Sequence, residues 1–140
     1  MKSRIFNFLF VFAFSAWSAS AYSARPYYYL TIHVNNILIH KGKMHIGIYN
    51  NEQDFDNKKY YAGTITDVKG KTFKIVFQLP KGTYAVQMFQ DTNNDNTRNS
   101  ILGVPLEPYG VSRNVSGFPS FKKNRFTLDK NKSINIKLKN

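Results

Sequence analysis

The chain of 140 residues has room for one domain, and it contains no cysteine, which excludes a disulfide framework. Its formal net charge is +12. Such a charge favours anionic partners, namely envelope polymers or lipid headgroups, although lysines also keep a β protein soluble without binding anything.

The N-terminus has the pattern of a secretory signal peptide. Lys2 and Arg4 precede the apolar run "IFNFLFVFAF", and the small residues Ala19-Ser20-Ala21 follow it. The run is shorter than the roughly 20 apolar residues that cross a bilayer, so the alternative of an uncleaved anchor is disfavoured. We therefore predict a signal peptide at 1–21, cleavage near Ala21, and one mature domain at 22–140.

Export has consequences for location, charge and partners. Removing Lys2 and Arg4 with the leader lowers the formal charge from +12 to +10. The mature chain contains no later apolar run long enough to form a transmembrane segment. We expect a periplasmic or secreted protein that does not meet nucleic acid in its ordinary work.

Alternation of apolar and polar residues predicts an all-β fold. No helix-period segment follows the leader. The clearest strands contain "YLTIHV", "KMHIGIY", "FKIVFQ", "TYAVQMFQ", "RFTLD" and "SINIKLK", and a weaker one lies at "YYAGTITDV". Gly, Pro and Asn separate them, and "LPKGTY" is a turn between two of them. The prediction is a single antiparallel β-sandwich of about seven strands, immunoglobulin-like or transthyretin-like.

The segment "DTNNDNTRNSILG" can be a weak calcium loop. Calcium takes six to eight oxygen ligands, which alternate residues of a curved loop can supply. The predicted ligands are Asp91, Asn93, Asp95, the Thr97 carbonyl and Asn99. Leu102 stands where a closing bidentate Glu is expected, and Glu107 is the nearest acid. The alternative is a series of Asx turns that needs no metal.

Two further sites are considered. A hairpin around residue 39 would place His33 opposite His45 and near His40, as zinc or copper ligands or as a solvated pair. The last strands carry many cations, which form either an anion-binding face or a solubilising one. These cations are Lys122, Lys123, Arg125, Lys130, Lys132, Lys137 and Lys139, with Arg98 and Arg113 nearby.

The connection at 101–118 is rich in Pro and Gly and is long enough to be functional. An enzyme would build its site there. The chain has no Gly-x-Ser-x-Gly elbow, so a non-enzymatic binding or structural module is the preferred function.

Several ordered motifs resemble the domain of unknown function 2141 family of small exported bacterial proteins. They are Gly82-Thr83-Tyr84-Ala85-Val86, Asp91-x-Asn93-x-Asp95-Asn96, Leu102-Gly103-x-Pro105 and Tyr109-Gly110-x-Ser112-x-Asn114. Gln90 stands where members often have His, and Asn96 where they often have Gly. The resemblance implies bacterial export and a β-sandwich, and it implies no activity, catalytic residue or cofactor.

Overall fold

A computed structural model describes residues 25–101 and 104–139 of the chain. The predicted signal peptide, Leu102 and Gly103 lie outside this part. The strands are β1 (Tyr27–Asn35), β2 (Lys43–Tyr49), β3 (Ala62–Asp67), β4 (Phe73–Pro80), β5 (Gly82–Asp91), β6 (Ser100–Ile101), β7 (Val104–Pro105), β8 (Tyr109–Val111), β9 (Phe126–Leu128) and β10 (Lys132–Lys137). The helices are α1 (Glu52–Asp56) and α2 (Phe121–Asn124).

The strands form two main sheets, as expected of a predominantly β protein. A three-stranded sheet has the order β10-β1-β4, and a five-stranded sheet has the order β3-β2-β5-β8, with β9 paired to the start of β5. Strands β6 and β7 form a separate ribbon within the long connection. Pairing is antiparallel except between β1 and β10, which are parallel. The described part of the chain contains more strands than the predicted seven. The additional ones are short strands in the long connection, which its Pro and Gly content does not indicate.

One apolar core receives side chains from both sheets. Leu30, Ile32 and Val34 of β1 belong to the same buried cluster as Ile46 of β2 and Met88 of β5. The apolar residues of the alternating pattern in β1 thus face the core. Full burial of each such side chain stabilises the fold by about 1.5–3 kcal/mol.

The first two strands do not form a hairpin, and that prediction is wrong. Strand β1 pairs with β10 and β4, whereas β2 lies in the other sheet between β3 and β5. His33 is exposed opposite Lys74 and Asn135, while His45 is buried in the five-stranded sheet. The proposed zinc or copper cluster of His33, His45 and His40 is therefore not formed.

The polar segment "NNEQDFDNKK" contains the short helix α1. Asn51 caps α1, because its side-chain oxygen accepts a hydrogen bond from the Asp54 N–H at 2.8 Å. Phe55 is fully buried and packs edge-on against Tyr49, with a centroid separation of 5.0 Å. Phe121 of α2 lies edge-on to the Phe55 ring, with 6.4 Å between the centroids. The two helices thus cover part of the outer face of the five-stranded sheet.

No helix in the described part of the chain combines the length and apolar character needed to cross a membrane.

The core assignment is tested by two truncations of the same kind. Ile46→Ala, at a fully buried position, should lower the free energy of unfolding by about 2–5 kcal/mol because it leaves a cavity. Val76→Ala, at a position 49% exposed on β4, should change it by less than about 0.5 kcal/mol. Urea denaturation followed by circular dichroism measures both, and equal effects would contradict the assignment.

Candidate functional site

The 91–99 loop begins at a buried carboxylate. Asp91, the last residue of β5, is fully buried. Its Oδ1 accepts a hydrogen bond from the Asp95 N–H at 3.2 Å, and its Oδ2 accepts one from the Asn96 N–H at 2.8 Å. Gly42, at φ 78°, passes so close that a Cβ there would lie 2.1 Å from the Asp91 carbonyl oxygen. The Asp91 side chain therefore holds the loop through two hydrogen bonds, and the Asp91 backbone packs against Gly42.

The other predicted ligands meet at Asp95. Its Oδ2 accepts hydrogen bonds from the Asn93 and Asn99 amides, each at 2.9 Å, and its Oδ1 accepts one from the Thr97 N–H at 2.7 Å. The Asn99 amide, followed by the Thr97 N–H and the Asn93 amide, lowers the pKa of Asp95 below its ordinary value. The structure thus brings all five predicted residues into one hydrogen-bonded loop.

Glu107 reaches the same loop from the long connection. It is buried, and its Oε1 and Oε2 accept hydrogen bonds from the Thr92 N–H at 3.1 Å and the Asn99 N–H at 3.4 Å. The nearest acid by sequence is therefore in contact with the loop backbone. Within the described residues, no group of three or more His, Cys, Asp or Glu side chains is spaced to hold a metal ion. The observed bonds are those of Asx turns and carboxylate caps.

A cavity of about 310 Å³ lies beside this loop, on the outward face of β2 and β5. Its floor consists of outward-facing side chains of the two strands, namely His45, Tyr49, Gln87 and Phe89. Asn96, Thr97 and Arg98 of the loop form one wall, and Lys58 and Tyr60, which follow α1, form another. The loop and the cavity are thus one structural unit.

Two glycines bring Tyr60 close to the sheet. Gly47 of β2 is paired with Gly63 of β3. A Cβ at Gly47 would lie 2.5 Å from Cε1 of Tyr60, and one at Gly63 would lie 3.2 Å from its Cδ2. The absence of side chains at these positions lets the Tyr60 ring pack directly on the strands and line the cavity.

The floor of the cavity holds polar atoms that the protein leaves unpaired. Gln87 is only 5% exposed, and neither its Oε1 nor its Nε2 has a hydrogen-bond partner. His45 is 7% exposed, stacks on Phe89 with 4.6 Å between ring centroids, and has an unpaired Nε2 that lies 3.6 Å from Asp91 Oδ2. Buried polar groups in native proteins are nearly always paired. The described structure thus gives these donors and acceptors no partner within the protein, at the floor of a cavity.

The rim of the cavity is positively charged. Within the described residues, no carboxylate oxygen lies within 4.0 Å of a side-chain nitrogen of Arg98 or Lys58. Burial lowers the pKa of Lys58, and the nearby charge of Arg98 lowers it further, while Asp56 opposes the shift. Burial, the largest influence, also raises the pKa of Tyr49, which keeps that hydroxyl protonated as a hydrogen-bond donor.

A family model with the description "Uncharacterized protein conserved in bacteria (DUF2141)" matches residues 32–137, which is most of the chain. The chain belongs to this family. No curated protein and no solved structure matches it. The resemblance seen in the sequence motifs is confirmed.

The domain of unknown function 2141 motif at 109–114 has a structural role here. The backbone N–H of Ser112 donates to the Val86 carbonyl, and the Ser112 Oγ accepts from the Val86 N–H and donates to the Asn124 carbonyl. Asn114 bonds to the backbone of β10 through both ends of its amide. Gly110 allows close approach, since a Cβ there would lie 2.6 Å from Ile136 Cγ2. This motif ties the long connection to both sheets.

The two departures from the family pattern lie outside the floor of the cavity. Gln90 faces away from it and donates through Nε2 to the Ile39 and Lys41 carbonyls, at 2.6 and 2.8 Å. Asn96 adopts φ 60°, the left-handed conformation expected where other members have Gly. Both departures are accommodated by hydrogen bonds or backbone geometry.

Sequence reasoning missed His45, Lys58, Gln87 and Arg98 as members of one site. They come from four separate segments, so no spacing connects them. One signal was present in "TYAVQMFQ", whose outward positions include the apolar residues Ala85 and Phe89, as in a strand that is partly covered on both sides. That pattern indicates a layer over the outward face of β5.

The hydrogen-bond network of Asp95 is tested by Asn99→Ala. Because the Asn99 amide is the largest contributor to the lowered pKa of Asp95, its removal should raise that pKa toward the ordinary value. Carboxyl-carbon nuclear magnetic resonance during an acid titration measures the change. In the parent, the stabilisation from Asp95 should be present above the unfolded-state pKa of about 3.9. It should be lost as the pH falls through the lower folded-state pKa.

Asn57→Ala, a change at the end of α1, serves as the control. An Asp95 pKa that moves equally in both variants, or in neither, would show that the Asn99 amide does not set it.

Proposed function

We propose that this protein is an exported, non-enzymatic binding module of the cell envelope, and that it binds a small ligand in the cavity beside the 91–99 loop. The leader-like pattern at 1–21 supports periplasmic or secreted location. In this proposal the two sheets are the layers of an immunoglobulin-like or transthyretin-like sandwich, supported by the core that they share. The ligand site lies on the outer face of one layer.

The observation that carries the proposal is the side chain of Gln87. Gln87 is a primary amide at 5% exposure, and neither of its polar atoms has a partner within the protein. Leaving a buried amide without any partner costs about 1–3 kcal/mol in general. An apolar side chain would suit the folded protein better. A ligand that forms hydrogen bonds with the amide would explain why Gln87 occupies this position, because residues at binding sites often reduce the stability of the fold.

A weak calcium site at the loop is a second proposal. It is supported by the loop's oxygen-rich side chains, since Asp91, Asp95 and Glu107 each accept a hydrogen bond from a backbone N–H of this loop. The proposed ligands remain Asp91, Asn93, Asp95, Thr97 and Asn99. An ion held there would order Asn96, Thr97 and Arg98, the wall of the cavity, and calcium would thus support the binding site without touching the ligand.

Two alternatives have weaker support. An enzyme built on the 101–118 connection would need a free nucleophile, yet the Ser112 hydroxyl is buried and bonded to two backbone groups. A basic face that binds anionic glycan or lipid would use the exposed cations Lys122, Lys123, Arg125, Lys130 and Lys137. Lys139 contributes less to such a face, because its Nζ donates to the Val115 carbonyl.

The binding proposal is tested by a pair of glutamines in the same strand. Gln87→Met should raise the free energy of unfolding by about 1–3 kcal/mol, because it removes an unpaired buried amide while keeping the side-chain length. Gln90→Met should lower it by a similar amount, because the Ile39 and Lys41 carbonyls lose their donor. Urea denaturation without ligand measures both changes. If Gln87→Met is as destabilising as Gln90→Met, Gln87 is a structural residue and the proposal fails.

The calcium proposal is tested by melting temperature. Millimolar calcium should stabilise the parent by mass action, approaching about 2.7 kcal/mol only at a hundredfold excess over the Kd. Asp95→Ala should abolish the shift, and Asp95 is the residue to change because it is exposed whereas Asp91 is buried. Asp56→Ala on α1 is the matched control. An unchanged calcium response in Asp95→Ala would place the ion elsewhere, and no response in the parent would leave only Asx turns.

A further inference from the structure

A second cavity of about 370 Å³ adjoins the first and shares Lys58, Gln87 and Arg98 with it. Ser100, Phe118 and Pro119 complete its lining. The two cavities therefore meet at two cations and one buried unpaired amide. A molecule that occupies both would have its central group at this junction.

The charges at the junction favour an anion. No Asp or Glu is among the described residues that line either cavity. Lys58 lies where its Nζ donates to the Phe55 carbonyl at 3.2 Å, and Arg98 is partly buried beside the Tyr109 ring. Lys58 is exposed and Arg98 is half-buried. Two like charges close to each other repel, and an anion placed between them offsets that repulsion. Arginine in addition bonds carboxylates with two parallel N–H groups.

The walls on either side of the junction are aromatic. Tyr49 and Tyr60 line the first cavity in an edge-to-face pair, with 5.5 Å between their centroids. Phe118 lines the second and is 69% exposed. An aromatic ring this exposed at a cavity is available to stack on a ring of a ligand.

Building on the binding function proposed above, we infer that the joined cavities bind a small carboxylate that carries a six-membered ring. The carboxylate lies between Arg98 and Lys58, and Gln87 bonds to it or to a neighbouring polar group. The ring lies against the tyrosines or against Phe118. This chemistry has two sources, aromatic acids and acidic sugars, and the neutral analogue of each separates recognition of the charge from recognition of the ring.

The experiment titrates the full mature protein with benzoate and benzamide, and with glucuronate and glucose, by nuclear magnetic resonance and calorimetry. At least one carboxylate should bind about tenfold or more tightly than its neutral partner, because charge-assisted hydrogen bonds are lost in the latter. Binding should also raise the pKa of Lys58, since the anion opposes the effect of Arg98. Benzoate alone indicates an aromatic acid, and glucuronate alone indicates an acidic sugar.

Variants then locate the carboxylate. Arg98→Gln and Lys58→Gln should each weaken carboxylate binding by about tenfold, and Arg113→Gln, an exposed position outside both cavities, should not. Equal affinity for a carboxylate and its neutral partner would overturn the inference while leaving a binding cavity in place. Binding of none of the four probes would also overturn it. The stability of Gln87→Met, measured without ligand, decides the proposed function separately.

Discussion

The carboxylate of Asp91 is the interaction on which the candidate site depends. It lies at the end of β5, out of contact with water, and it accepts hydrogen bonds from two N–H groups of the following loop. A carboxylate in such a position is stable only when its oxygens are bonded. Those bonds set the direction in which the chain leaves the sheet, and residues 96–98 consequently lie over His45 and Gln87. The same carboxylate is 3.6 Å from His45, so it also limits where that ring can lie.

Strand β5 connects the stability of the fold to the chemistry of the site. Its inward residues, including Val86 and Met88, belong to the core, while Ala85 belongs to the small outer cluster with Phe55 and Phe121. The same outward face carries Gln87 next to this outer cluster, and a purely structural layer would not require an amide there. Natural sequences are locally consistent except where function demands otherwise. Under the proposed binding function, the outer face of β5 is such an exception, and the two helices cover one end of it.

The sequence predicts which residues face the core but not which sheet each strand joins. The alternation in β1 and β2 is the same whether the strands pair in a hairpin or face each other from separate sheets, so His33 and His45 were wrongly placed together. Asp91, Asn93 and Asp95 lie in one hydrogen-bonded loop because they are close in the chain and a tight turn brings them together, while calcium binding by them stays a prediction. Helix α1 is too short to show a helical period, and only Asn51 followed by Asp54 marks its start. The cavity requires four distant segments to meet, which no local pattern encodes.

The arrangement of titratable groups fits the proposed binding function. A catalytic site places a nucleophile or base where it can exchange a proton with a substrate. Here the Asp91 oxygens are committed to backbone N–H groups, the His45 ring is stacked on Phe89, and the Lys58 Nζ donates to the Phe55 carbonyl. The Tyr49 hydroxyl stays protonated because burial raises its pKa. Groups held in this way present fixed donors and fixed positive charge to a ligand. That is the requirement for binding an anion with little reorganisation, and it follows from the same contacts that hold the loop and the helices on the sheet.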